Sequence, residues 1–99
     1  KFWVSFNGSG TLVVGDSHNV DSGTDNGTGD YTVNVDTNFS STNWSGVISA
    51  GTTALGLQGI VSQDAGTYRI QCYVWNGASS TNASASDQSV VNVAGFGDQ

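Results

Sequence analysis

The 99-residue chain sets eight Asp against one Lys and one Arg, a net charge of −6, which excludes nucleic acid and anionic bilayers, partners normally met by gathered positive charge. No stretch approaches the ~20 apolar residues of a membrane span, and no basic, apolar, small-residue series marks a signal peptide. Good helix formers are scarce, with three Leu and no Met or Glu, whereas Val, Ile and Thr make up 25 residues and ten are aromatic, so one thin-cored all-β domain spanning residues 1–99 is expected.

Alternation of apolar and polar residues places the strands. Phe2, Val4 and Phe6 share one face of a first strand, with Trp3 and Ser5 on the other. Asn7-Gly8-Ser9-Gly10 then turns the chain, because Asn and Gly accept positive φ at little cost. Residues 11–15 read as a second strand and 18–22 as a weaker third. Asp25-Asn26-Gly27-Thr28-Gly29-Asp30 has no apolar side chain and reads as a turn. Tyr31, Val33 and Val35 follow with strict period two and face the core. Residues 44–50 and 54–62 are two further strands, whose Gly46, Gly56 and Gly59 suggest bulges or close backbone approach. After the turn Gln63-Asp64-Ala65-Gly66, residues 67–75 form the longest strand, with Tyr68, Ile70, Cys72 and Val74 facing inward. Residues 76–86 read as a surface loop and 87–96 as the closing strand. About seven or eight short strands separated by turn clusters indicate an antiparallel β-sandwich, jelly-roll-like in its spacing.

Motifs of catalysis or metal binding are weak. Asp25 to Asp30 offers oxygen ligands for a hard cation, but an Asn-Gly turn before a strand explains it. His18 is the single imidazole and has no partner set for zinc. There is no Gly-x-Ser-x-Gly elbow and no Glu for an acid/base pair, and scattered Asp are ordinary turn formers. No enzyme activity, metal or cofactor is expected. Cys72 cannot form an internal disulfide and reads as a small core residue. Five Asn-x-Ser/Thr triplets begin at Asn7, Asn26, Asn38, Asn43 and Asn82, acceptors only on a eukaryotic secretory route. Asp64-Ala65-Gly66-Thr67-Tyr68 has the form of an immunoglobulin tyrosine corner, but Ile70 stands where the Cys would be; it is a turn followed by a strand.

Three segments resemble a family of bacteriophage fibre domains. Phe2-Trp3-Val4-Ser5-Phe6-Asn7-Gly8-Ser9-Gly10-Thr11 is similar to its W-V-x-F-N-G-T/S-G-T opening. Asp25-Asn26-Gly27-Thr28-Gly29-Asp30-Tyr31-Thr32-Val33-Asn34-Val35 resembles its D-N-G-T-G-D-Y-T-V-N-F signature, and Ser89-Val90-Val91-Asn92-Val93-Ala94-Gly95-Phe96-Gly97-Asp98 its terminal V-x-V-A-x-F-G-D. His18 departs from the Phe of the pattern, and residues 39–64 carry no motif that aligns. The resemblance implies the distal or C-terminal part of a tail fibre or related virion fibre, displayed on the extracellular virion. It further implies a homotrimer that presents loops to a host-surface glycan or protein receptor. A free-standing carbohydrate-binding module, also all-β and rich in Asn, Asp and Trp, is the alternative, with capsid decoration and adhesin domains beyond it.

Two sets of site residues follow. Trp3, Tyr73 and Trp75 lie opposite the core-facing residues of their strands, and large outward aromatics mark an oligomer interface. Binding residues concentrate on loops held by a rigid scaffold, and planar polar side chains beside an aromatic suit a sugar. Asn43, Trp44, Asn76 and Asn82 are therefore expected at a host-facing tip.

Overall fold

The computed structural model describes residues 1–51, 56–75 and 83–99. Among these, nine strands form two antiparallel sheets packed as a β-sandwich: β1 (Phe2–Asn7), β2 (Val13–His18), β3 (Val20–Gly27), β4 (Asp30–Val35), β5 (Ser45–Ala50), β6 (Gly56–Gln63), β7 (Thr67–Trp75), β8 (Ala83–Ala85) and β9 (Val91–Phe96). One sheet has the order β2-β1-β9-β5. The other runs β3-β4-β7-β6, with β8 pairing β7 where β4 stops.

The alternating residues of β1, β4, β7 and β9 face one another between the sheets. Phe2, Val4 and Phe6 meet Tyr31, Val33 and Val35, with Tyr68, Ile70, Cys72, Val91 and Val93 completing the layer. Phe39 and Trp44, from the connection between β4 and β5, close one end: Trp44 stacks on Phe39 at 4.6 Å and meets Phe2 edge-on at 5.6 Å. Here the terminal glycines are required. A Cβ on Gly95 would lie 2.3 Å from the Phe2 ring, and one on Gly97 would lie 2.6 Å from Cβ of Trp44. Cys72 is fully buried, and burial pushes its thiol up to about 11, so it is a core residue as expected.

Several boundaries differ from the sequence reading. The second strand starts at Val13 and the third runs to Gly27, so Asp25 and Asn26 are strand residues and the hairpin turns at Thr28-Gly29. Both strands lie at sheet edges, where backbone pairing with one neighbour suffices and no apolar face need be covered. Their sequences therefore lack the alternation that marks a strand. The closing strand begins at Val91 rather than residue 87. Asp87 and Gln88 instead plug the sandwich: Gly29 N–H donates to Asp87 Oδ1 at 2.7 Å, and Gly8 N–H donates to the Gln88 carbonyl at 2.8 Å. Part of the expected surface loop, Ala83–Ala85, is strand β8; residues 76–82 lie outside the described set, as do 54 and 55 of the strand expected over 54–62.

The chain crosses between sheets at Asn19, the single non-Gly residue with positive φ (56°) among those described. Its Oδ1 accepts Thr37 N–H at 2.7 Å, and its Nδ2 donates to the carbonyls of Lys1 (2.9 Å) and Thr37 (3.2 Å). Asn tolerates the left-handed region, and its side chain ties the corner to the chain entry and to the exit of β4. Asn19→Ala is expected to cost about 2 kcal/mol, and Asn19→Gly about 1 kcal/mol less because only the hydrogen bonds are lost. Urea unfolding of the two variants measures this; equal costs would show that φ contributes nothing.

Candidate functional site

The inward alternation of Tyr68, Ile70 and Cys72 forces Arg69, Gln71, Tyr73 and Trp75 onto the outer face of the β3-β4-β7-β6 sheet. Register then selects their neighbours. Gln71 lies opposite Asp30 on one side and Gly59 on the other. Tyr73 lies between Ala85 and Leu57, and Trp75 opposite Ala83. The face therefore has two halves. One carries two half-buried aromatics flanked by small residues and Leu57; the other is polar.

Hydrogen bonds link most of the polar half into one network, centred on Asp30, with a separate cluster at Asn34. Arg69 donates through Nε to Asp30 Oδ1 at 2.9 Å and through Nη2 to Oδ2 at 2.7 Å. Gln71 Nε2 donates to Asp30 Oδ2 at 3.3 Å, and Tyr73 O–H donates to Gln71 Oε1 at 2.6 Å. Asn26 Nδ2 reaches Thr32 Oγ1 (2.7 Å) and Asp30 Oδ1 (3.3 Å), and Asn34 Nδ2 bonds Ser22 and Thr24 across the β3–β4 pair. The charges cancel in a two-pronged pair, the arrangement a guanidinium and a carboxylate favour. Hydrogen bonds from Arg69 hold the Asp30 carboxyl below the usual carboxylate range, and the same contact raises Arg69. Asp25 is also occupied, its Oδ1 accepting Gly27 N–H at 3.1 Å. The oxygens that suggested a cation loop therefore hold the hairpin and the ion pair.

Such a lowered carboxylate contributes stability that is complete above the unfolded value near ~3.9 and is lost as pH falls through the folded value. The Arg69 side chain is 42% exposed and that of Asp30 13%, so solvent screening keeps the effect modest. Urea midpoints taken from about pH 6 to about pH 2 should fall more steeply for the wild type than for Asp30→Asn. Parallel curves would remove the pair from the stability of the domain.

Of the residues expected at a host-facing tip, the two that are described, Asn43 and Trp44, do not share an exposed surface. Asn43 is exposed, with its N–H bonded to Ser41 Oγ at 3.1 Å. Trp44 is not an exposed platform but a core residue, 7% accessible, its Nε1–H donating to the Asp64 carbonyl at 3.0 Å. The sequence places Trp44 at the head of a strand and at the tip, but the strand starts at Ser45 and the connection before it folds back and buries the ring under Gly95 and Gly97. Asn43 and Trp44 also sit at the end of the sandwich where the chain termini meet: the Lys1 ammonium donates to Gln99 Oε1, and Gln99 Nε2 donates to the Thr37 carbonyl at 2.6 Å. Trp75 and Ala83 pair at the opposite end; Asn76 and Asn82 lie outside the described residues.

Nor do the three outward aromatics share a face. Trp3, 44% exposed, lies on the outer face of the other sheet, beside Ala94 and His18, with Val47 next to Ala94 and exposed Phe96 nearby. Tyr73 and Trp75 are on the far side of the sandwich. Sequence reasoning missed Gln71 as the hydrogen-bond partner of Tyr73, and Asp30 and Gly59 as the residues flanking Gln71. The available signal was the lone Arg69 in the same alternating row as Gln71, Tyr73 and Trp75. The chain matches no protein-family model, no curated protein and no solved structure.

Proposed function

We propose that the chain is a structural and host-recognition domain of a bacteriophage tail fibre or related virion fibre, displayed outside the cell and non-enzymatic. The observation that carries this reading is where the fibre-like motifs fall. Gly8 of the opening segment, Tyr31 of the middle one and Gly95 of the last are packing positions that their neighbours leave no room to change. A Cβ on Gly8 would lie 2.3 Å from the Tyr31 hydroxyl, which bonds the Gly8 carbonyl at 3.0 Å; Gly95 faces Phe2 in the same way. The resemblance thus rests on the residues that hold the scaffold, while the outer faces are free to carry specificity, the division expected of a recognition domain.

The domain assembles as a homotrimer in this reading, with the outer faces of the β2-β1-β9-β5 sheets turned toward a common axis. Exposed Trp3, Val47 and Phe96 support that choice, since a modest core gains from burying aromatic surface between subunits. Tyr73 and Trp75 then face outward. Light scattering is expected to return three times the 10.2 kDa chain mass, and Trp3→Ser is expected to shift the oligomer toward monomer on dilution. A clean monomer at micromolar concentration would count against the fibre and favour a carbohydrate-binding module, the reading that the aromatic and polar outer face also suits.

A further inference from the structure

We infer that the outer face of the β3-β4-β7-β6 sheet is a binding platform for an uncharged glycan, stacked on Tyr73 and Trp75 and hydrogen-bonded by Gln71, Asp30 and Arg69. The inference deepens the host-recognition reading and rests on it only for the source of the glycan. Four observations carry it.

The first is the ring geometry. Tyr73 and Trp75 stand two residues apart on one strand face, a spacing of about 7 Å, comparable with the size of a single sugar ring. On the β8 side their neighbours are the small Ala83 and Ala85, and the rings stay half-buried rather than fully covered. An apolar C–H face of a pyranose meets such rings as other apolar groups do. The second is the network. Sugar hydroxyls donate and accept at once, and the Tyr73–Gln71–Asp30–Arg69 series is already oriented, so a ligand meets groups whose rotamers are held before it arrives. The third is a notch. The Cβ position of Gly59, beside Gln71, has nothing within 4 Å, so the polar end of the platform is open for a ligand to lie across it. The fourth is charge. Asp30 cancels Arg69 locally and the chain carries −6 overall, which disfavours sialylated, phosphorylated or uronic-acid polymers and selects an uncharged one.

The test is affinity electrophoresis of the intact protein through gels containing neutral polysaccharides (glucan, mannan, galactan, xylan) or the acidic polymers alginate and polygalacturonate, followed by calorimetry with oligosaccharides of any that retard it. Retardation by at least one neutral polymer and by neither acidic one is expected. Trp75→Ala should weaken that binding about tenfold or more. Gly59→Ile, which adds neutral bulk where the structure has room and suits a strand, should abolish it with the unfolding midpoint unchanged or raised. Binding that survives both variants, retardation by acidic polymers alone, or no retardation in any gel would overturn the platform. Oligomer mass is read on the same samples. A trimer that binds no neutral glycan refutes the platform and leaves the fibre reading standing. A glycan-binding monomer does the reverse.

Discussion

Replacement of Gly29 by Ala is expected to cost about 3–5 kcal/mol, enough to unfold much of a domain whose total stability is of order 5–15 kcal/mol. Two separate penalties meet at this position. Its φ of +64° lies in the left-handed region, where a Cβ costs about 1–2 kcal/mol. In addition, that Cβ would lie 2.5 Å from the Cys72 carbonyl oxygen and 2.8 Å from that of Ser86. Both are backbone atoms and cannot swing aside: Ser86 N–H donates to the Cys72 carbonyl at 3.0 Å, and Cys72 N–H donates to the Gly29 carbonyl at 2.7 Å. Gly10 is the internal control. Its φ is +65°, but nothing lies within 4 Å of its Cβ position, so Gly10→Ala should show the conformational penalty alone, about 1 kcal/mol. Equal losses for the two variants, measured by urea unfolding, would show that crowding at Gly29 is relieved by a backbone shift.

Trp44→Ala is expected to be the most damaging side-chain truncation, at about 3–5 kcal/mol. It removes the ring that Phe2, Phe39 and Tyr68 pack around, and it strips the Asp64 carbonyl of its donor. Gly46, Gly95 and Gly97 have no side chains to move into the space. For a chain of this length such a loss lowers the melting temperature by at least about 12 °C. Asn43→Ala, one residue away and exposed, should stay within about 0.5 kcal/mol of the wild type. A Trp44→Ala protein that melts with the wild type yet fails to adsorb to host cells would return this residue to the receptor surface.

These two residues also show where the sequence was readable. Gly29 lies in a Gly-rich turn before a strictly alternating strand, and the turn was placed within a residue or two by local chemistry alone. What crowds it was not readable, because Cys72 and Ser86 are more than forty residues away and meet it only once β4 and β8 share the flank of β7. Trp44 is hidden from the sequence for the reverse reason. Its neighbours Thr42, Asn43 and Ser45 are polar, and periodicity has nothing to say about a ring carried inward by a connection that is not a strand.

The amino-acid sequence by itself determined the fold class, three of the four alternating strands that build the core, and the outward row of Arg69, Gln71, Tyr73 and Trp75. Alternation is a local property, set by the two-residue period of an extended chain, so it survives without knowledge of neighbours. Pairing between strands is not local. Only the tertiary structure put Asp30 beside Gln71 and Arg69, set Ala83 and Ala85 against the two rings, and left the notch at Gly59 open. It also placed Trp3 on the opposite face from Tyr73 and Trp75, because β1 and β7 belong to different sheets and the chain changes sheet at Asn19. Asn19, held by three side-chain hydrogen bonds, makes the first of the sheet changes, and those after β4, β5 and β8 complete the arrangement.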